Sequence, residues 1–186
     1  MRGHFSKSLL AVGVFSFCGM FSTAAAGQLV NGWSIAVGAN GAITSMTHED
    51  PSTPLSIEKT LAITIDKGIN ASGGSVTFKN GLQRDLGQQE AASYLDMLGG
   101  IKAIWDFYSQ TGHLNTATVD ANSQSLSASF YGAIARVTFA SGNSIIGKVQ
   151  AGTDKATITV TSPLGQAGGP VTVNLSTIKT IQTIKL

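Results

Sequence analysis

The chain has 186 residues, with twelve Lys and Arg against ten Asp and Glu and a single cysteine. Arg2, Lys7 and Cys18 all fall in the first 26 positions, so the remainder is formally neutral and free of thiols. That remainder has no disulfide framework, no cysteine nucleophile and no Lys/Arg cluster of the kind that neutralises nucleic-acid phosphates.

The N-terminus has the order of a secretory signal. Arg2 and Lys7 make a basic start, Leu9 to Phe21 an apolar core too short for a bilayer span, and Ala24-Ala25-Ala26 a cleavage region. Residues 1–26 are therefore expected to be removed, with Gly27 as the first mature residue. Ser16-Phe17 lack the small residue that a lipidation motif places before its cysteine, so Cys18 is not read as a lipid anchor. The low charged fraction, 12%, and 22 glycines suit a β-rich exported protein better than a cytosolic enzyme.

Residues 28–47 read as a hairpin. Trp33-Ser-Ile-Ala-Val37 and Ala42-Ile-Thr-Ser-Met46 flank Asn40-Gly41, a dipeptide suited to positive φ. His48 to Pro54 reads as a polar loop. Leu61-Ala-Ile-Thr-Ile65 alternates as a strand. Ser72-Gly73-Gly74 reads as a turn before a short strand, Val76-Thr-Phe78. From Gln88 to Tyr108 the period changes. Tyr94, Leu98, Ile101, Trp105 and Tyr108 recur at steps of three and four, one face of a helix interrupted at Gly99-Gly100, where either the helix bends or two short helices meet. Asp85 and Gln88 have the spacing of a capping box. Thr116 to Ser125 reads as a connection and Leu126 to Phe130 as a strand start. A final series of β-branched runs follows from Arg136 to Ile184. In it Ile158, Val160, Val171 and Val173 are expected to face one core. Val76-Thr-Phe-Lys-Asn-Gly81 is similar to Val137-Thr-Phe-Ala-Ser-Gly142, a likeness expected from a shared strand–turn solution rather than a duplication.

The last fifty residues resemble small SH3-like or Sm-like barrels. The resemblance is carried by Val137 to Gly142, Gly147-Lys-Val149, Ile158-Thr-Val160, Val171-Thr-Val173 and Ile178-Lys-Thr-Ile181. Similar strings occur in exported bacterial proteins of unassigned function. The resemblance implies a fold for under a third of the chain and no function. The RNA-binding loop residues of Sm-like families have no counterparts to carry over.

Chemistry is sparse. His48-Glu49-Asp50 offers cation ligands, but adjacent residues of an extended segment point apart and no second cluster stands at metal spacing, so no metal is expected. No Gly-x-Ser-x-Gly elbow and no phosphate loop is present. The expectation is therefore a non-enzymatic protein without a cofactor. Trp33, Trp105 and Tyr108 are the candidate ligand or partner residues, because aromatic side chains serve sugar and apolar ligands well; aromatics at helical spacing are usually core, so core is the favoured reading for Trp105 and Trp33 is left open. The expected fold class is α+β and β-rich, with antiparallel strands, one interrupted amphipathic helix and a C-terminal SH3-like barrel. Residues 27–125 would form an N-terminal α+β region and 126–186 the barrel region. The expected role is an exported structural or protein-interaction module, periplasmic or extracellular, with a protein partner or self-assembly and no nucleic acid. The alternative is a secreted or periplasmic binding protein for a small apolar or glycan ligand.

Overall fold

A computed structural model describes residues 27–49, 58–120, 122, 126–161 and 169–186. The expected signal sequence, the segment Asp50–Pro54 and most of the turn Gly165–Gly169 lie outside the described residues.

Six strands come first: β1 (Gln28–Val30), β2 (Trp33–Val37), β3 (Ile43–Glu49), β4 (Glu58–Asp66), β5 (Asn70–Phe78) and β6 (Gln83–Leu86). They form one antiparallel meander in chain order. Period-two alternation selects the buried face. Trp33 and Ile35 point inward on β2, and Leu61, Ile63 and Ile65 do so on β4, while Thr64 and Asp66 face solvent. Each large apolar side chain buried this way contributes about 1.5–3 kcal/mol.

One turn design is used three times. In Gly38–Ala42, Phe78–Leu82 and Phe139–Asn143 the first residue's N–H donates to the carbonyl of the fifth, at 2.8 Å each time. The fourth residue is a glycine at positive φ: Gly41, Gly81 or Gly142. The third residue's side chain accepts from the fifth residue's N–H: Asn40, Asn80 or Ser141. This is the three-residue hairpin loop with a left-handed glycine. It accounts for the likeness of Val76–Gly81 to Val137–Gly142 without a duplication. Asn31-Gly32, both at positive φ, make the two-residue turn between β1 and β2, which pair at Val30 and Trp33.

Gly73 and Gly74 are not a turn, as expected, but lie inside β5. A Cβ on Gly74 would sit 2.3 Å from the Ala62 carbonyl oxygen, so the glycine permits close approach of β4. His48 and Glu49 likewise belong to β3 rather than to a loop.

Two short helices follow, α1 (Gln88–Met97) and α2 (Gly100–Gln110), so the interruption expected at Gly99-Gly100 is a meeting of two helices rather than a bend in one. The reason is Gly99, which adopts the left-handed conformation (φ 70°, ψ 17°) and ends α1. The expected capping box is absent. Gly87 is the N-cap, without a side-chain hydrogen bond. Arg84 instead reaches the first turn of α1 and pairs with Glu90 through two hydrogen bonds. Ala91, Ala92, Leu95, Ala103, Ile104, Phe107 and Tyr108 pack with the first sheet into one core.

The second sheet contains β7 (Leu114–Thr118), β8 (Ile134–Phe139), β9 (Ser144–Ala151), β10 (Thr157–Thr161), β11 (Val171–Asn174) and β12 (Ile178–Ile184). Its order is β11-β10-β9-β8-β12-β7, antiparallel throughout. After β11 a 3-10 turn at Leu175–Thr177, held by the Asn174 side chain, returns the chain to β8. Val137, Val149, Ile158, Leu175 and Ile181 centre a second core.

The α+β class expected from sequence is corrected to a β-rich protein of two antiparallel sheets with two short helices, and the SH3-like barrel expected for residues 126–186 is not shown. Closing a barrel requires the first and last strands to pair. Here β11 and β7 are the two ends of the order and are not bonded to one another. Moreover Thr116 to Thr118, expected to begin a connection, belong to β7, which pairs with β12 from Thr118 to Leu114. Ala128–Phe130, expected to begin a strand, is a 3-10 turn. Three of the four residues expected to share a core are buried: Ile158, Val160 and Val173. Val171 stands opposite Val160 on the same face but is 54% exposed, at the first residue of the edge strand β11, whereas Val173 two residues on is buried.

Candidate functional site

The three aromatic candidates are all fully buried, at 0% exposure. Each has a separate setting. Trp33 on β2 packs edge-on against His48 at 5.1 Å, and its indole N–H donates to the Leu98 carbonyl at 3.1 Å. That bond satisfies a carbonyl which the end of α1 leaves without a helical partner. Tyr108 on α2 donates its hydroxyl to the Gly68 carbonyl and accepts from the Ile43 N–H, both at 2.9 Å. It thereby joins α2 to two hairpins of the first sheet. Burial raises the Tyr108 hydroxyl above its ordinary pKa, with the Ile43 N–H opposing the shift in part.

Trp105 lies outside both apolar clusters. The Arg136 guanidinium stands over its ring, 5.7 Å from the centroid. Its indole N–H is buried with no acceptor among the described residues. Around it a polar chain joins the two halves. Asp106 accepts from Lys102 and from Asn31 and stands 3.7 Å from Arg136. Arg136 donates to Gln182 at 2.8 Å, and Gln182 donates to Thr116 at 3.0 Å. Burial pulls the Asp106 carboxyl upward, but the hydrogen bonds from Lys102 and Asn31 and the charges of Lys102 and Arg136 outweigh it, so the carboxyl sits below its ordinary range. These residues link β1–β2, α2, β8, β12 and β7. Sequence reasoning named Trp105 but not Asp106 or Arg136.

The face of α2 against the sheet is filled by its own side chains: Ala103, Ile104, Phe107 and Tyr108 are 4% exposed or less. A concave surface occurs instead along α1. Gln89, Glu90, Ser93, Tyr94 and Met97 border a hollow of about 510 Å³. His48 faces Trp33, Glu49 is exposed, and Asp50 lies outside the described residues. Among the described residues no three His, Cys, Asp or Glu side chains come together to hold a metal. Nor is any described helix long and apolar enough to cross a membrane.

The outer strands differ in how they are guarded. Beside β1, Gln28 donates to Gln110 of α2, and Asn31 to Asp106. On β6, Arg84 and Asp85 are exposed charges. Strand β7 reads Leu-Asn-Thr-Ala-Thr and β11 reads Val-Thr-Val-Asn, with no charge in either. Natural sheets commonly place charges, bulges or a covering element on such edges. The signal for these two edges was present in sequence as uncharged, β-branched strings, but β7 is too polar to stand out as a strand. No family model, no curated protein and no solved structure matches this chain.

Proposed function

We propose that this chain is an exported, non-enzymatic structural or protein-interaction module of a bacterial envelope or extracellular assembly. The observation that carries the reading is the pair of uncharged outer strands on the second sheet. Unpaired strand edges template pairing with another chain, and this sheet leaves two of them without a guarding charge. Exposed Leu29, Leu82 and Val171 supply apolar surface near strand edges and turns. The N-terminal order of basic, apolar and small residues supports export.

A second reading, a binding protein for a small apolar or glycan ligand, draws on the hollow along α1. Its volume falls in the range of ligand pockets, and Tyr94 and Met97 give it an aromatic and an apolar wall. Protein recovered from the envelope or medium of an expressing bacterium tests both readings. N-terminal sequencing should find Gly27, and native mass spectrometry should find species heavier than one chain. Retention of Leu9–Phe21 refutes export. A strictly monomeric protein that binds a glycan or an apolar dye, and loses binding in Tyr94→Ala, establishes the second reading instead.

A further inference from the structure

We infer that the partner of this module is a second copy of the same chain, added head to tail so that β7 of one copy pairs with β11 of the next. The inference rests on the interaction reading above and names its partner. Three observations lead to it.

The first is parity. The second sheet has six strands, and every neighbouring pair is antiparallel. Five successive reversals leave β11 and β7 running in opposite directions. A copy translated along the sheet therefore sets its β11 antiparallel to the free side of the first copy's β7. The alternation continues across the junction without rotating either copy out of the sheet. An odd number of strands would have produced a parallel junction, which pairs slightly less well per residue.

The second is length and composition. β7 has five residues and β11 four, so each covers the other. Leu114, Asn115, Thr116, Ala117 and Thr118 meet Val171, Thr172, Val173 and Asn174 with no charge on either strand. Neither desolvation of a charge nor like-charge repulsion opposes the contact. Threonines on both strands favour cross-strand pairing.

The third is the contrast with the first sheet. Its order is also six antiparallel strands, but one edge carries Arg84 and Asp85, and on the other Gln28 of β1 is tied by its side chain to Gln110 of α2. The second sheet is therefore the one with two uncharged edges that no helix side chain is seen to tie down among the described residues. Because β7 and β11 are different surfaces, the contact is heterologous and leaves one of each edge free at the ends. Such contacts grow into open filaments unless the rotation closes a ring.

The test uses the purified protein and two edge variants, Asn115→Lys on β7 and Thr172→Lys on β11, both at exposed positions. Unchanged circular dichroism and melting midpoint establish that each variant folds. The unaltered protein should show masses at successive multiples of the protomer, shifting upward with concentration. Each variant alone should remain at the protomer mass. An equimolar mixture should recover a dimer and nothing larger, since one intact β7 and one intact β11 remain. A dimer that survives in Thr172→Lys alone, but not in Asn115→Lys, means that β7 pairs with itself and overturns the head-to-tail contact. Assembly unchanged in both variants overturns these edges while leaving the interaction reading intact. Association only with a different protein has the same meaning. A unaltered protein that stays monomeric at every concentration overturns the inference. Should a variant fail to fold, hydrogen exchange on the unaltered protein decides. Amides of residues 114–118 and 171–174 should gain protection with concentration, and a rise in mass without that gain refutes the contact.

Discussion

Tyr108→Phe is the sharpest probe of how the helices are held on the first sheet. The substitution keeps the ring, which is fully buried, and removes only the hydroxyl. Two backbone groups then lose their partner: the Gly68 carbonyl and the Ile43 N–H, each at 2.9 Å from the hydroxyl oxygen. A buried group left unsatisfied costs about 1–3 kcal/mol. With two such groups, and with the hydroxyl's own desolvation no longer incurred, the expected loss is about 2–4 kcal/mol. For a chain of this size that lowers the melting midpoint by about 4–16 °C. Urea unfolding at constant m-value is the matching equilibrium measurement. Tyr131→Phe is the control, since Tyr131 is 37% exposed, and it should change stability by no more than about 0.5 kcal/mol. The pH dependence supplies a second readout. The folded-state pKa of Tyr108 is raised above its ordinary 10.0, so its contribution is full below that value and is lost as pH rises through the folded pKa. The gap between the unaltered protein and Tyr108→Phe should therefore narrow in alkali. A Tyr108→Phe protein that melts with the unaltered one would show that these two hydrogen bonds do not hold α2 on the sheet, and would return Tyr108 to the candidate contact residues.

Gly100→Ala should destabilise by about 1–3 kcal/mol, because a Cβ there would meet Leu95 Cδ1 at 2.3 Å and the Leu95 carbonyl at 2.9 Å; an unchanged or raised midpoint would place the α1–α2 corner differently. Val160→Asp should cost about 3–5 kcal/mol by burying an unpaired charge, whereas Val171→Asp, on the same face at the exposed edge, should cost at most about 0.5 kcal/mol in dilute solution. Comparable urea midpoints for the two variants would mean that the edge of the second sheet is misassigned. Asp106 has a folded-state pKa below its ordinary 3.8, so its contribution is present above that value and is lost as pH falls through the folded pKa. Acid melts of Asp106→Asn should be flatter than those of the unaltered protein below pH 3.8, and parallel curves would show that the link from Asp106 to Lys102, Asn31 and Arg136 does not form.

What was legible in the sequence is what is local. Leu61, Ile63 and Ile65 announce a half-buried strand because alternation needs no knowledge of the partner strand. Asn40-Gly41, Asn80-Gly81 and Ser141-Gly142 announce turns because side-chain acceptor and left-handed glycine lie within five residues. The helical face through Tyr94, Leu98, Ile101 and Tyr108 was readable for the same reason, and these residues do pack on the first core. The errors fall where a distant segment decides. Gly73-Gly74 carries a turn's composition, yet the neighbouring Ala62 backbone makes it a place of close approach within a strand. Leu114–Thr118 has no apolar alternation of its own and becomes a strand only because β12, more than sixty residues further on, presents a free edge, where Gln182 donates to Thr116. That one non-local pairing also separates an open sheet from the expected barrel. The local strings of β8 to β11 are compatible with either, and what occupies the far side of β12 determines the difference. The same reasoning applies to Trp105. Its helical spacing identified a buried face but not what meets it, and Arg136, from the opposite sheet, makes that residue part of the junction between the two halves rather than of either core.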